Sequence, residues 1–163
     1  MQRQITGFRR DTVGDWVADL ACHHRQHVRH RPPLLSRPWV ETPHGREQHL
    51  GTELNCPLCD RTELPDGLAV VRTAGPFDES TLPVGLRRNH RVADATWGLL
   101  RVISGTAQFS METEPPIVVH LRAGDEQPNP PGVLHAVTIS AGRVEVDFLV
   151  LAGSAATGRH GSR

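Results

Sequence analysis

Lysine and tyrosine are both missing from this chain of 163 residues. Without lysine there is no Schiff-base nucleophile and no Walker-type phosphate loop, and without tyrosine there is no phenolic acid for catalysis. No apolar run approaches the eighteen residues of a membrane span. The first twenty residues carry Arg3, Arg9, Arg10, Asp11, Asp15 and Asp19 and hold no apolar stretch that could act as an export signal. Formal charge sums to zero, which removes any global attraction to nucleic acid or to an anionic membrane. The chain is therefore expected to be cytoplasmic, with no membrane partner. Cysteine is scarce too, and an odd count of three cannot complete a disulfide framework.

Those three cysteines fall in one constellation with a histidine cluster. Cys22-His23-His24-Arg25-Gln26-His27-Val28-Arg29-His30 precedes a proline-rich connection, and Cys56-Pro57-Leu58-Cys59 follows it. Thiolate and imidazole from one segment plus a Cys-x-x-Cys knuckle from another supply the four ligands that tetrahedral zinc takes. The expected set is Cys22, His24, Cys56 and Cys59, because residues two apart in an extended segment point to the same side. His27 and His30 stand as alternative ligands. A redox role for the Cys56/Cys59 pair is the competing reading, but it would want a strand-to-helix junction in a βαβ unit, whereas Pro57, Asn55 and Asp60 suggest a turn.

Around this site the apolar stretches Ile5 to Phe8 and Trp16 to Ala21 flank Asp11-Thr12-Val13-Gly14-Asp15, the pattern of a β-hairpin that delivers Cys22. Arg31-Pro32-Pro33 and Arg37-Pro38-Trp39 exclude a helix interior and mark an irregular loop. A helical turn is expected between Gly45 and Leu54, and a linker at 62–67. Ile5, Phe8, Val13, Trp16, Val17, Leu20, Leu50 and Leu54 are few apolar residues for a module spanning 1–61, so a structural zinc would supply much of its stability. The segments Asp15 to Cys22, Gln26 to Pro33, Arg37 to Val40, Gly45-Arg46 and Gly51 to Asp60 resemble a small bacterial domain family of unknown function. That family has Cys-Gly-His where this chain has Cys22-His23-His24, which implies His24 over His23 as the ligand and leaves His27 open. The resemblance brings no activity with it.

From Leu68 the pattern turns to short β runs: 68–71, 86–89, 97–103, 107–111, 117–121, 134–139 and 144–151. Gly85, Gly105, Pro115-Pro116, Gly124, the Pro128 to Gly132 cluster and Gly142 punctuate them, as in a small antiparallel sandwich or barrel. Gly124 to His135 fits the second cupin motif, whose Gly and Pro residues turn the chain so that the next strand points its histidine inward. The first cupin motif survives only as Gly85 and His90. Together with Leu82 to His90, Thr96-Trp97-Gly98, Arg101 to Gly105 and Val144 to Leu149, this half resembles the cupin-like domain of tellurite-resistance TehB proteins. The resemblance implies a conical β-barrel over 68–152, a metal pocket, and a loose connection to oxyanion or nitrosative stress. A disordered tail is expected at 153–163.

The fold class expected is mainly β: a small zinc-knuckle module with a β-hairpin, followed by a cupin-like antiparallel β-barrel. In the barrel His90 and His135 are the natural imidazoles for a second divalent metal, zinc or iron, with Asp147 replacing the lost glutamate. Read without a metal, the two histidines are pocket hydrogen-bonders and Asp147 a strand residue. Arg29, Arg31 and Arg37, in a stretch with no acidic residue, are anion-binding candidates. Asp15, Asp19, Glu41, Glu47 and Glu53 nearly cancel their charge, which argues against nucleic acid as a partner. Three functional readings stand: a zinc-containing stress-response protein whose barrel binds a small molecule or oxyanion, a metal-dependent enzyme acting at His90, His135 and Asp147, and a zinc-stabilised adaptor using the arginine loop.

Overall fold

Asp11 closes the first hairpin of the chain. Its Oδ1 accepts from the Val13 and Asp15 amides at 3.0 and 2.8 Å, and Gly14 adopts φ +89° to complete the turn. The turn joins β1 (Gln2–Arg10) to β2 (Trp16–Leu20) in antiparallel register from Arg10 opposite Trp16 to Ile5 opposite Leu20. β3 (Arg25–His27) adds to β2, and β4 (Glu53–Asn55) pairs with the start of β1, giving the order β3-β2-β1-β4. Between β3 and β4 lies the proline-rich stretch. It ends in the short helix α1 (Pro43–Gln48), which starts where Thr42 Oγ1 accepts from the Gly45 amide. The helix α2 (Pro57–Asp60) follows β4.

The structure is a computed structural model that describes residues 1–153; the expected tail, beyond Gly153, lies outside the described residues. The chain divides into two units, Met1–Pro65 and the part from Asp66 onward. Both are mainly β. Among the described residues no helix is long and apolar enough to cross a membrane.

The second unit is one curled, antiparallel half-barrel sheet of order β5-β9-β6-β7. It contains β5 (Leu68–Phe77), β6 (Trp97–Met111), β7 (Ile117–Arg122), β8 (Glu126–Asn129) and β9 (His135–Leu151), with β8 pairing to β6 off the main path. Leu100, Val102, Phe109, Met111, Val137, Ile139, Val144 and Val146 form its core.

Two expectations about this unit need correction. Gly105 and Gly142 do not end strands: β6 and β9 run straight through them and pair from Trp97–Leu149 to Met111–His135. Here the two backbones approach so closely that a Cβ on Gly105 would stand 2.1 Å from the Ala141 carbonyl, and one on Gly142 would stand 2.0 Å from that of Ser104. Both glycines have positive φ, and register shifts flank them, so they bend a continuous ribbon instead of turning it. Residues 86–89 are not a strand either. Val84–Arg87 forms a 3-10 turn, fastened by Arg87, whose guanidinium donates to the Leu82 and Glu79 carbonyls. Conversely, β8 carries Pro128 inside a strand, tolerated because β8 has a ladder partner on one side alone.

Candidate functional site

β1 assembles the cysteine–histidine site. The turn after β2 and the knuckle after β4 both spring from residues paired with the beginning of β1: the Ala21 amide donates to the Gln4 carbonyl at 2.9 Å, and the Cys56 amide to that of Met1 at 2.8 Å. Cys22 and His24 do not lie in an extended segment. His23, at φ +69°, bends the chain back between β2 and β3, and the Leu20 amide closes the turn on the His24 carbonyl at 2.9 Å. In the knuckle Pro57 opens α2 with its fixed φ, and the helical turn brings Cys59 back beside Cys56.

All four side chains are buried, and their ligand atoms lie within 4.8 Å of one another. Cys22, Cys56 and Cys59 Sγ stand 3.5, 3.4 and 3.6 Å from His24 Nδ1, and Cys22 Sγ stands 3.8 Å from Cys56 Sγ. Zinc bonds of about 2.3 Å to sulfur and 2.0–2.1 Å to nitrogen, at tetrahedral angles, put sulfurs about 3.8 Å apart and sulfur about 3.6 Å from nitrogen. The four separations match the corresponding edges of that tetrahedron. Electrostatics agree with the geometry. Burial pushes the His24 imidazole down, but the Cys22 and Cys56 sulfurs outweigh it and lift the group to about 9. Hydrogen bonds from Cys22 and Cys59 hold the Cys56 thiol far below its usual range, while Cys22 and Cys56 push the Cys59 thiol far above it. Three sulfurs crowded into one buried volume cannot all ionise without a cation among them, and the donor set therefore fits a divalent metal, with zinc the natural occupant.

The alternative ligands are engaged elsewhere. His27 Nε2 meets Asp11 Oδ2 at 2.9 Å on the surface, and His30 Nδ1 accepts from the Arg37 amide at 3.0 Å. Of the arginine candidates, Arg29 is paired directly to a carboxylate. Arg29 Nε donates to Asp15 Oδ2 at 2.6 Å, and Arg31 reaches the same oxygen at 4.0 Å. Arg37 is placed beside His30 through its backbone.

In the second unit His90 and His135 exchange backbone hydrogen bonds, each at 2.9 Å, and their rings meet edge-to-face at 5.0 Å between centroids. They line a mostly apolar cavity with Leu86, Val92, Phe109 and Val146. Its volume, ≈ 10 Å³, is about what one water needs. Burial holds His135 down to about 4 and also lowers His90, so both imidazoles are neutral near pH 7.

Asp147 does not join them. Val144 and Val146 face the core, so strand alternation turns Asp147 to the opposite side of the sheet. There it is fully buried, accepts from Thr73 Oγ1 at 2.6 Å and forms an ion pair with Arg101. The expected His90/His135/Asp147 triad is thus not assembled. Its place beside His135 is taken by Asn129, absent from the sequence reading, whose Nδ2 lies 2.8 Å from His135 Nδ1 and whose Oδ1 is buried without a hydrogen-bond partner. Its signal was its position at the end of β8, immediately before the Pro130-Pro131-Gly132 turn that leads to His135.

Residues 6–63 match the family described as a protein of unknown function, DUF3565, and residues 72–148 match the TehB-like domain. No curated protein matches the chain. Among solved structures, a structural-genomics target from Escherichia coli K12 is similar at 20% identity and a TM-score of 0.47, over 55% of this chain and 97% of its own. TehB from Haemophilus influenzae is similar at 17% identity and a TM-score of 0.47, over 58% of this chain and 37% of its own.

Proposed function

Because the chain joins a DUF3565 module, residues 6–63, to a TehB-like domain, residues 72–148, we propose that it is a cytoplasmic, zinc-binding stress-response protein whose cupin-like domain holds a small molecule at His90, His135 and Asn129. The observation that carries the zinc half is the set of tetrahedral edges among Cys22, His24, Cys56 and Cys59. Four protein ligands close the coordination sphere and leave no position for substrate, so the ion is structural and ties the hairpin to the knuckle. Reduced thiols of this kind persist in a reducing compartment, which supports the cytoplasm.

The pocket half is supported by chemistry and tied to tellurite resistance through the TehB-like domain alone. At ≈ 10 Å³ the cavity has room for about one water, so a ligand enters by displacing lining side chains, after which two neutral imidazoles and the unmatched polar end of the Asn129 amide can orient it. Among the described residues no arginine lines that cavity, so a neutral molecule fits better than a fully charged oxyanion, whose binding would improve as acid protonates the histidines. Elemental analysis of purified protein tests both halves. One zinc per chain, lost in a Cys56→Ser/Cys59→Ser variant, is the expected result. Two metals, one of them lost on His135→Ala, would replace the small-molecule pocket with a metal site, and no metal at all would overturn the zinc reading.

A further inference from the structure

Two apolar residues of the first unit are held out in solvent at the same end of its sheet. Val13, in the β1–β2 turn, is 81% exposed, and Leu34, in the loop after β3, is 93% exposed. The antiparallel register of Val17 with His27 sends the chain leaving β3 toward that turn, and Asp15 joins the two there: its Oδ2 accepts from Arg29 Nε at 2.6 Å. Beyond Arg29 the loop closes on itself, Arg31 and Leu35 exchanging backbone hydrogen bonds at 2.8 and 2.9 Å. Pro32, Pro33 and Leu34 form the exposed crown of that closed loop. We infer that these two tips dip into an anionic lipid bilayer, with Arg31 and Arg37 on its phosphate headgroups.

The loop's own backbone bonds and its two prolines fix Leu34 outward before any contact is made, so little conformational freedom is lost on insertion. Charge complements the apolar tips. Segments 10–15 and 28–37 carry four arginines against two aspartates, a local positive excess that the zero net charge of the chain conceals. Not all four guanidiniums are available. Arg10 is spent on the Gly14 carbonyl and the Trp16 ring, and Arg29 on Asp15. Arg31 is 68% exposed and stands 4.0 Å from the oxygen that Arg29 already holds. Arg37 uses its backbone amide on His30, and its guanidinium pairs with no carboxylate among the described residues. These two bracket Pro32 to Ser36 in the chain, where their forks can take lipid phosphates while Leu34 enters the acyl boundary. Shape selects a bilayer over a protein partner. Two separate convex tips offer too little continuous area for a stable protein interface, whereas a fluid bilayer needs no matching surface.

Co-sedimentation of the full chain with lipid vesicles tests this inference. Binding is expected to vesicles of phosphatidylcholine with phosphatidylserine, to be far weaker on phosphatidylcholine alone, and to fall as salt is added. Leu34→Ser is expected to weaken it about tenfold, and Arg31→Ala and Arg37→Ala about fivefold each. Val118→Ser, which removes an exposed apolar residue of the second unit, should leave it unchanged, and a circular dichroism spectrum common to all variants shows that the fold survives. Absence of binding to the anionic vesicles, or equal binding to neutral ones, would overturn the inference. So would equal weakening by Val118→Ser, or binding kept in Leu34→Ser and lost in the two arginine variants, which is the behaviour of a plain polyanion site.

Discussion

The two units solve the same problem, a stable β fold, with different means. In the first, Ile5, Val17, Ala18, Leu20, Val28 and Val40 are the buried aliphatics, and two residues expected in its interior, Val13 and Leu50, are 81% and 48% exposed. What fills its centre instead is the cysteine–histidine set. The second unit wraps a curled sheet around a continuous cluster that includes Phe109, Met111 and Leu121. In the proposed zinc-bound form the stability of this small module is concentrated in a few ligand atoms, whereas the larger unit spreads stability over many side chains.

Removal of the metal ligands should break this contrast most sharply. In Cys56→Ser/Cys59→Ser, or after strong chelation, the first unit is expected to unfold outright, since metal binding in such modules contributes on the order of 10 kcal/mol. Limited proteolysis should then digest residues 1–65 and spare the β strands that follow. A single His24→Ala change is expected to lose zinc, whereas His27→Ala is not, and inductively coupled plasma analysis distinguishes the two. In the second unit Phe109→Ala should cost about 3–5 kcal/mol by denaturant titration, with zinc content unaltered.

Acid sharpens the comparison from another direction. His135 sits at about 4 in the folded chain against an ordinary 6.5, so the unfolded chain binds the extra proton first. The stability this group contributes is complete above pH 6.5 and is lost as pH falls toward 4, by up to roughly 3 kcal/mol. Thermal melts across that window should fall for the native chain and flatten for His135→Gln. Gly105→Ala is expected to cost more than about 1 kcal/mol, because an alanine must adopt positive φ against a backbone carbonyl. A melting temperature unchanged by that substitution would show that the ribbon does not bend there as described.

Much of the metal site was legible in the residues because ligand chemistry is local. A Cys-x-x-Cys knuckle and a Cys-x-His pair announce thiolate and imidazole without knowledge of the fold. Choosing among His24, His27 and His30 was harder, for the decision depends on a turn at His23 and on Asp11, which draws His27 away. The first hairpin was equally readable, since Asp11 and Gly14 carry its turn within five residues.

Two of the departures in the second unit share one cause. Asp147 shares a strand face with Glu145 and Leu149, and that face looks away from His135, because the bend at Gly105 and Gly142 changes which alternation points inward between Ile139 and Val144. The same bend made two long strands read as four short ones. Sequence alone therefore determined the ligand types, the β character and the punctuation, all of which follow from properties carried by neighbouring residues. Tertiary structure alone decided that Cys22 meets Cys56 across β1, that Asn129 and not Asp147 faces His135, and that the paired glycines bend the sheet. Each of these depends on the register between segments far apart in the chain, and a shift of one residue in that register exchanges the inside of a sheet for its outside.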